Sequence, residues 1–312
     1  MGFSLSEDKG ATGTTLLLID VQNDFHPGGS LAIEAANADA DRITQLIRSS
    51  RSKINHIVAT LDSHHRLDIA HSGFWVSGDG DEIQHPDPFT IISSEDVASG
   101  KWRPHRHVKI INSNAADENN SVHLDPTIFD NYQQVVNTKG EIDPSKYALQ
   151  YTKQLEKNGC FQLCIWPEHC LIGGPGHNIV KSVWDAMQEW SLYSGGQIHY
   201  VYKGQHPLTE MFSALRAEVP VSKSTSFDQT LFDKLKQSDR ILVAGQALSH
   251  CVNYTMRDMV DSSTPEERSK ICLLRDCSSS VPGFEAASDE FLQYLEKNGV
   301  ATCKAEDVFE MI

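Results

Sequence analysis

No stretch of this 312-residue chain is apolar for long enough to cross a bilayer, and no segment repeats or falls into low complexity. That excludes a spanning helix and a repeat array. Basic residues are scarce, with 27 Lys and Arg against 42 Asp and Glu, for a net charge of −15 and no basic stripe. A nucleic-acid or anionic-membrane partner is therefore argued against. Cysteine is sparse too: seven residues, an odd number without framework spacing, fit a reducing compartment with free thiols and not a disulfide scaffold. The opening MGFSLSEDKG lacks the apolar core of a signal peptide. Gly2 and Ser6 match the loose myristoylation pattern, but no polybasic segment supplements it, so the cytoplasm is the expected location.

What is present is a βα rhythm. Apolar runs at Thr15–Ile19, Ile57–Leu61, Ile198–Tyr202, Ile241–Ala244, Ile271–Leu274 and about Val300–Cys303 read as strands. Helical periodicity appears at Asn37–Ser50, Pro144–Asn158, His177–Trp190, Asp228–Gln237, Cys251–Val260 and Phe284–Asn298. The pattern predicts an α/β fold, Rossmann-like and doubly wound, with a mostly parallel six-stranded sheet and helices on both faces. At 312 residues the chain can bury a full core.

Chemistry gathers at the strand ends. Cys251 follows an apolar strand at the mouth of a helix, where the helix dipole and free N–H groups favour a thiolate and an oxyanion. A buried core cysteine is the plain alternative. Asp20, Asp62 with His64 two residues on, and Lys203 each stand at the carboxyl end of another strand. Open α/β sheets build their sites at those ends, so the four positions should converge on one crevice.

With these segments in view, the chain resembles the isochorismatase-like cysteine hydrolases, and among them the nicotinamidase/pyrazinamidase group. The pieces that carry the resemblance are DVQNDFHPGGSL, LDSH, IWPEHCLIGGPG, Lys203-Gly204 with EMFSAL, and GQALSHC, running in the family's order from residue 14 to about 303. The resemblance implies a triad of Asp20, Lys203 and Cys251, with Asp62, His64 and His169 as ligands of one divalent metal ion. Zn is the first choice, and Fe or Mn also suit two imidazoles and a carboxylate. His71 is a further candidate ligand, displaced by one residue from the family position, and His65 is equally available. The resemblance also implies a cis peptide before Ala247 and an oxyanion hole from the N–H groups of Ala247 and Cys251. The chemistry agrees: Asp20 takes the thiol proton, Lys203 stabilises the anion, and a thioester is hydrolysed to the acid after ammonia leaves.

Two departures touch the pocket wall. Ser249 replaces an acidic residue two before the nucleophile, and EMFSAL stands where Asp-Ser-Tyr-Ser is common. Phe25, Trp75 and Trp166 are candidate walls for a flat ring, or ordinary core aromatics. His250 is a site partner or a bystander. Cys160, Cys164 and Cys170 lie near His169 and read as core thiols rather than a zinc knuckle. The implied function is metal-assisted hydrolysis of a small-molecule amide, nicotinamide-like. The alternatives are a metal-free ureido or carbamoyl C–N hydrolase and an idle binding or scaffold protein on the same fold. Isochorismate ether hydrolysis is disfavoured, because those relatives lack the Cys nucleophile.

The hydrolase domain is expected over 14–310, with 73–160 as an inserted segment. That stretch is too long to be a structureless loop, so it should be ordered with helices of its own. Its polar composition predicts little contribution to the main core. It leaves from one ligand cluster and returns to the other, which fits a lid over the site or a contact in a homo-oligomer.

Overall fold

A computed structural model describes residues 13–78, 83–112, 123–158 and 161–309. Six strands form one parallel sheet: β1 (Thr14–Ile19), β2 (Ile54–Asp62), β3 (His199–Lys203), β4 (Arg240–Gly245), β5 (Ile271–Leu274) and β6 (Ala301–Cys303). Their order is β6-β5-β4-β1-β2-β3. The chain winds outward from β1 through β2 and β3, then crosses back to β4 and winds the other way. The order therefore reverses between β1 and β4, where a doubly wound sheet opens its crevice.

The apolar runs explain both faces. Side chains alternate along a strand, so Leu16 and Leu18 face one side of β1 while Leu17 and Ile19 face the other. On the first side they join Ile43 and Ile47 of α1 (Ala36–Ser49) and, two helices on, Val183, Met187 and Trp190 of the helix Lys181–Ser194. On the second side, Leu17 and Ile19 join Leu231 and Phe232 of Gln229–Lys236, Met256 of Cys251–Asp261, and Phe291 and Leu295 of Glu285–Lys297. With α2 assigned to Pro144–Lys157, these four helices are α3 to α6 in chain order. The doubly wound expectation holds, element by element.

One boundary moved. The spacing predicts a helix from His177, yet α3 begins at Lys181. The carbonyls of His177 and Asn178 are taken by the Gln22 side chain and the Asn23 N–H, so that backbone is committed to the loop after β1.

Described parts of 73–160 carry the helices Ser94–Ala98, Tyr132–Val135 and α2, and short ladders that pair Trp75–Ser77 with Trp102–Pro104 and Ile91–Ile92 with Leu163–Cys164. As expected, the two clusters on the faces of the sheet hold none of the described residues of 73–160, and the segment packs in a cluster of its own. Phe74, Trp75, Tyr147, Tyr151 and Leu155 build a third apolar cluster, shared with Leu208, Val219 and Val221 from the segment that follows β3. Two tyrosines also bond that segment: Tyr147 donates to the Leu208 carbonyl at 2.5 Å, and Tyr151 accepts from the Glu210 N–H at 2.9 Å.

Tyr147→Phe leaves the buried Leu208 carbonyl without its donor. The loss should be about 1–3 kcal/mol in chemical denaturation. Replacing 73–160 by a short linker would uncover Leu208, Val219 and Val221, and soluble folded protein should be lost, as read by circular dichroism.

Candidate active site

β1 ends in Asp20, whose φ of 45° turns the chain sharply out of the sheet. Thr60 on β2 holds that turn, accepting from the Asp20 N–H at 3.0 Å and donating to Oδ1 at 2.5 Å. β2 and β3 end side by side, with Asp62 in register with Lys203. Register alone thus brings an anion beside a cation. The Lys203 ammonium is fully buried; it lies 3.0 Å from Asp20 Oδ2, 3.0 Å from Asp62 Oδ1, 3.1 Å from the Met211 carbonyl and 3.5 Å from Cys251 Sγ. Burial alone would lower its pKa, yet the two carboxylates win and hold it well above the ordinary lysine value. Gly204, at φ 74°, must stay bare, since a Cβ there would sit 2.7 Å from Asp62 Oδ1.

The thiol differs from its sequence reading. Burial pushes Cys251 well above the usual thiol range, against the attraction of Lys203, so the resting group is SH and not thiolate. Burial also raises Asp20, with Lys203 opposing. Asp20 Oδ2 stands 3.0 Å from the ammonium. Cys251 opens α5, and the Gln246–Ala247 peptide is cis. Neither the Ala247 nor the Cys251 N–H has a partner among the described residues, so both donors are free to meet an oxyanion.

Beside Asp20, Lys203 and Cys251 stands a cluster of imidazoles. Candidate ligand atoms of His64, His71 and His169 all lie within 4.8 Å of one another, and all three residues are buried. Asp62 Oδ2 is 3.2 Å from His64 Nε2 and 3.3 Å from His169 Nε2. The His169 Nδ1–H donates to the Pro167 carbonyl at 2.8 Å, which turns Nε2 inward. Asp68 does the same for His64, at 3.1 Å from Nδ1. A second group orienting each imidazole is how metal ligands are commonly held. His71 Nδ1 is buried without a partner, and burial drops the ring to about 3, so it stays neutral. Three imidazoles, a carboxylate and an orphaned nitrogen fit a divalent cation. Of the two histidines left open, His71 faces this cluster and His65 is exposed.

Phe25, Leu31 and Val281 line a cavity that also touches Asp62, His169, Ala247 and Cys251. Trp166, Phe212 and His250 complete its aromatic wall, and burial holds His250 down near 4, neutral, with its ring edge-on to Trp166.

No family model matches the chain. It is 22% identical over 243 residues to the nicotinamidase of Escherichia coli (strain K12), covering 78% of this chain and 74% of that one. Among solved structures it is similar to the nicotinamidase/pyrazinamidase of Acinetobacter baumanii, with TM-score 0.57, 18% identity, 96% of this chain and 100% of that one covered. The yeast nicotinamidase bound to the inhibitor nicotinaldehyde gives TM-score 0.56 and 15% identity over 93% and 99% of the two chains. The fold is nicotinamidase-like.

Within this nicotinamidase-like fold Asp20, Lys203 and Cys251 come together, as do Asp62, His64, His71 and His169. Phe25 and Trp166 reach the cavity. Trp75 does not: it is fully buried in the third cluster with Nε1 bonded to the Ile69 carbonyl, because the large apolar ring is consumed by packing under the 73–160 segment. Cys164 and Cys170 are buried free thiols outside the imidazole cluster, and Cys160 lies outside the described residues. Among the residues that sequence reasoning missed are Asp68, Gln22 and Glu210. Asp68 orients His64, and its signal was the carboxylate four positions on. Gln22 clamps Asp62 by its backbone, at 2.7 and 2.8 Å. Glu210 lines the cavity, with no signal beyond its place in EMFSAL.

Zinc titration of the metal-stripped protein should give one site per chain. His64→Ala, His71→Ala and His169→Ala should each abolish tight binding, whereas Asp68→Ala, which removes only the orienting group, should weaken it roughly 10–100-fold. Unchanged affinity in all four variants would put the metal elsewhere.

Proposed function

We propose that the protein is a cysteine amidohydrolase that converts a small aromatic carboxamide, nicotinamide-like, to its acid and ammonia. The observation that carries this is one buried ammonium touching both a carboxylate and a thiol at the mouth of an apolar cavity. The nicotinamidases it resembles support the same chemistry at the coarser level of an amidase acting on C–N bonds.

In the reaction the Cys251 thiol gives its proton to Asp20, whose pKa, raised by burial despite Lys203, makes it a better base than a free aspartate. The sulfur attacks the amide carbon, and the C=O pair becomes an oxyanion that the Ala247 and Cys251 N–H groups receive. Lys203 offsets the negative charge as it moves from Asp20 to sulfur and back. Protonated Asp20 returns the proton to the leaving nitrogen, ammonia departs, and a thioester remains. Water then attacks, with Asp20 again taking a proton, and releases the acid and the thiol. Asp62, His64, His71 and His169 would hold a divalent cation, which when bound supplies a Lewis-acidic position for a ring nitrogen. Phe25, Trp166 and Phe212 exclude water from the ring faces.

Cys251→Ala should lower kcat/KM for nicotinamide by on the order of 10⁴-fold or more with the circular dichroism spectrum unchanged. Ammonia release at the wild-type rate would refute the covalent route. The base must be ionised to act, so kcat/KM should fall as pH drops through the Asp20 pKa, and that acid limb should sit above the ordinary aspartate range. A limb at or below that range, measured on the wild type, would remove Asp20 from the base role.

A further inference from the structure

We propose that Gln246 and Asp39 are positioning residues: the bond between their side chains fixes the Ala247 N–H where the oxyanion of the reaction forms. The inference rests on the amidase reading and adds the groups that orient its oxyanion donor.

The peptide unit between Gln246 and Ala247 is clamped from both sides. On one side the Gln246 N–H donates to the Ile19 carbonyl at 2.8 Å, which ties the unit to the residue before Asp20. On the other, the Ala247 carbonyl accepts from the N–H groups of His250 at 3.0 Å and Val252 at 3.1 Å. The Ala247 N–H between these anchors has no partner among the described residues, and Ala247 lines the cavity with Cys251. A donor held by its neighbours and itself unbonded is what a preorganised oxyanion site requires.

The Gln246 side chain supplies the third anchor. It is fully buried, where a primary amide needs partners for both of its ends. The Ser279 N–H, in the loop after β5, donates to Oε1 at 3.3 Å. A backbone N–H can only donate, so the other end of the amide is the NH2 group, and it donates to Asp39 Oδ2 at 2.9 Å. Asp39 stands in the first turn of α1 and is itself buried. Its carboxyl is also met by the Ser279 side chain and by Arg42 at 3.4 Å. The loop after β5 is stitched to the residues that follow as well: the Leu248 N–H donates to the Ser279 carbonyl at 2.8 Å, and the Val281 N–H to Ser249 Oγ at 3.1 Å. Neither Asp39 nor Gln246 lines the cavity, so α1 and this loop grip the donor from behind.

The test uses the zinc-supplemented full chain with two probes: nicotinamide, followed by ammonia release at pH 7, and pyridine-3-carboxaldehyde as an inhibitor. The Cys251 sulfur adds to the aldehyde carbon, the thiol proton passes to Asp20, and the C=O pair becomes an oxygen anion where the reaction's oxyanion forms. In Asp39→Ala, kcat should fall at least about tenfold with KM within about threefold, and the aldehyde inhibition constant should rise by a similar factor. Alkylation of Cys251 by iodoacetamide, which forms no oxyanion, should keep its wild-type rate. Asp39→Asn, which keeps an acceptor for the Gln246 amide, should return kcat and the aldehyde constant to within about threefold of wild type. An unmoved kcat, a loss carried by KM alone, an unmoved aldehyde constant, alkylation slowed as much as kcat, or Asp39→Asn as damaging as Asp39→Ala overturns the proposal. If Asp39→Ala does not fold, Gln246→Met, of similar length without the amide, is read by the same limits. Wild type that releases no ammonia from nicotinamide overturns the amidase reading instead, and this inference falls with it.

Discussion

Everything at this site depends on the burial of the Lys203 ammonium. An unpaired charge taken out of water costs several kcal/mol, so the fold must supply counter-charges and hydrogen-bond acceptors where the side chain ends. It does so through strand geometry. Asp62 is the register partner of Lys203 on the neighbouring strand, and Asp20 leaves the next strand under the control of Thr60. The Met211 carbonyl is the third acceptor, and it ties the chain after β3 to the centre of the site. Phe212 and Glu210 reach the cavity because their neighbour is held by the same ammonium. Two carboxylates around one ammonium leave an excess of negative charge. The imidazole cluster beside Asp62 is where a cation would balance it.

The second half of the site is tied to the first through backbone. Isolated bridges join His64 to Leu171, His71 to Trp166 and Gln22 to Ile179, so the segment carrying Trp166 and His169 is stitched to the loops after β1 and β2. Asp24 adds a bond from its carboxylate to the Cys170 N–H at 2.7 Å, where Cys170 takes a φ of 48°. Three stretches far apart in sequence thus present their side chains to one point. Under the proposed function, this would place the donors and the base before substrate arrives. The same enclosure pushes the Cys251 thiol above its ordinary range.

The segment 73–160 is tied to the chain that follows β3. Its tyrosines hold the main chain at Leu208 and Glu210, and its apolar residues share a cluster with Leu208, Val219 and Val221. Changes at Tyr151 should therefore be felt at the pocket wall through Glu210, without any contact between Tyr151 and the reacting atoms.

The sequence by itself determined the sheet, because strands buried on both faces must read as unbroken apolar runs such as TTLLLI, and helices covering them must show one apolar stripe. It also pointed to Asp20, Asp62 and Lys203 at strand ends and Cys251 at the start of a helix as candidates, since a charged or nucleophilic group at the end of a buried strand has few structural reasons to be there. Tertiary structure alone decided between His71 and His65, which differ in which way the backbone turns after β2. It decided that Trp75 is core while Trp166 is wall, because both are large apolar rings and only their neighbours differ. It also decided the protonation of Cys251 and the place of Glu210, since burial and the distance to a buried ammonium or indole are properties of the folded chain that no local pattern of residues encodes.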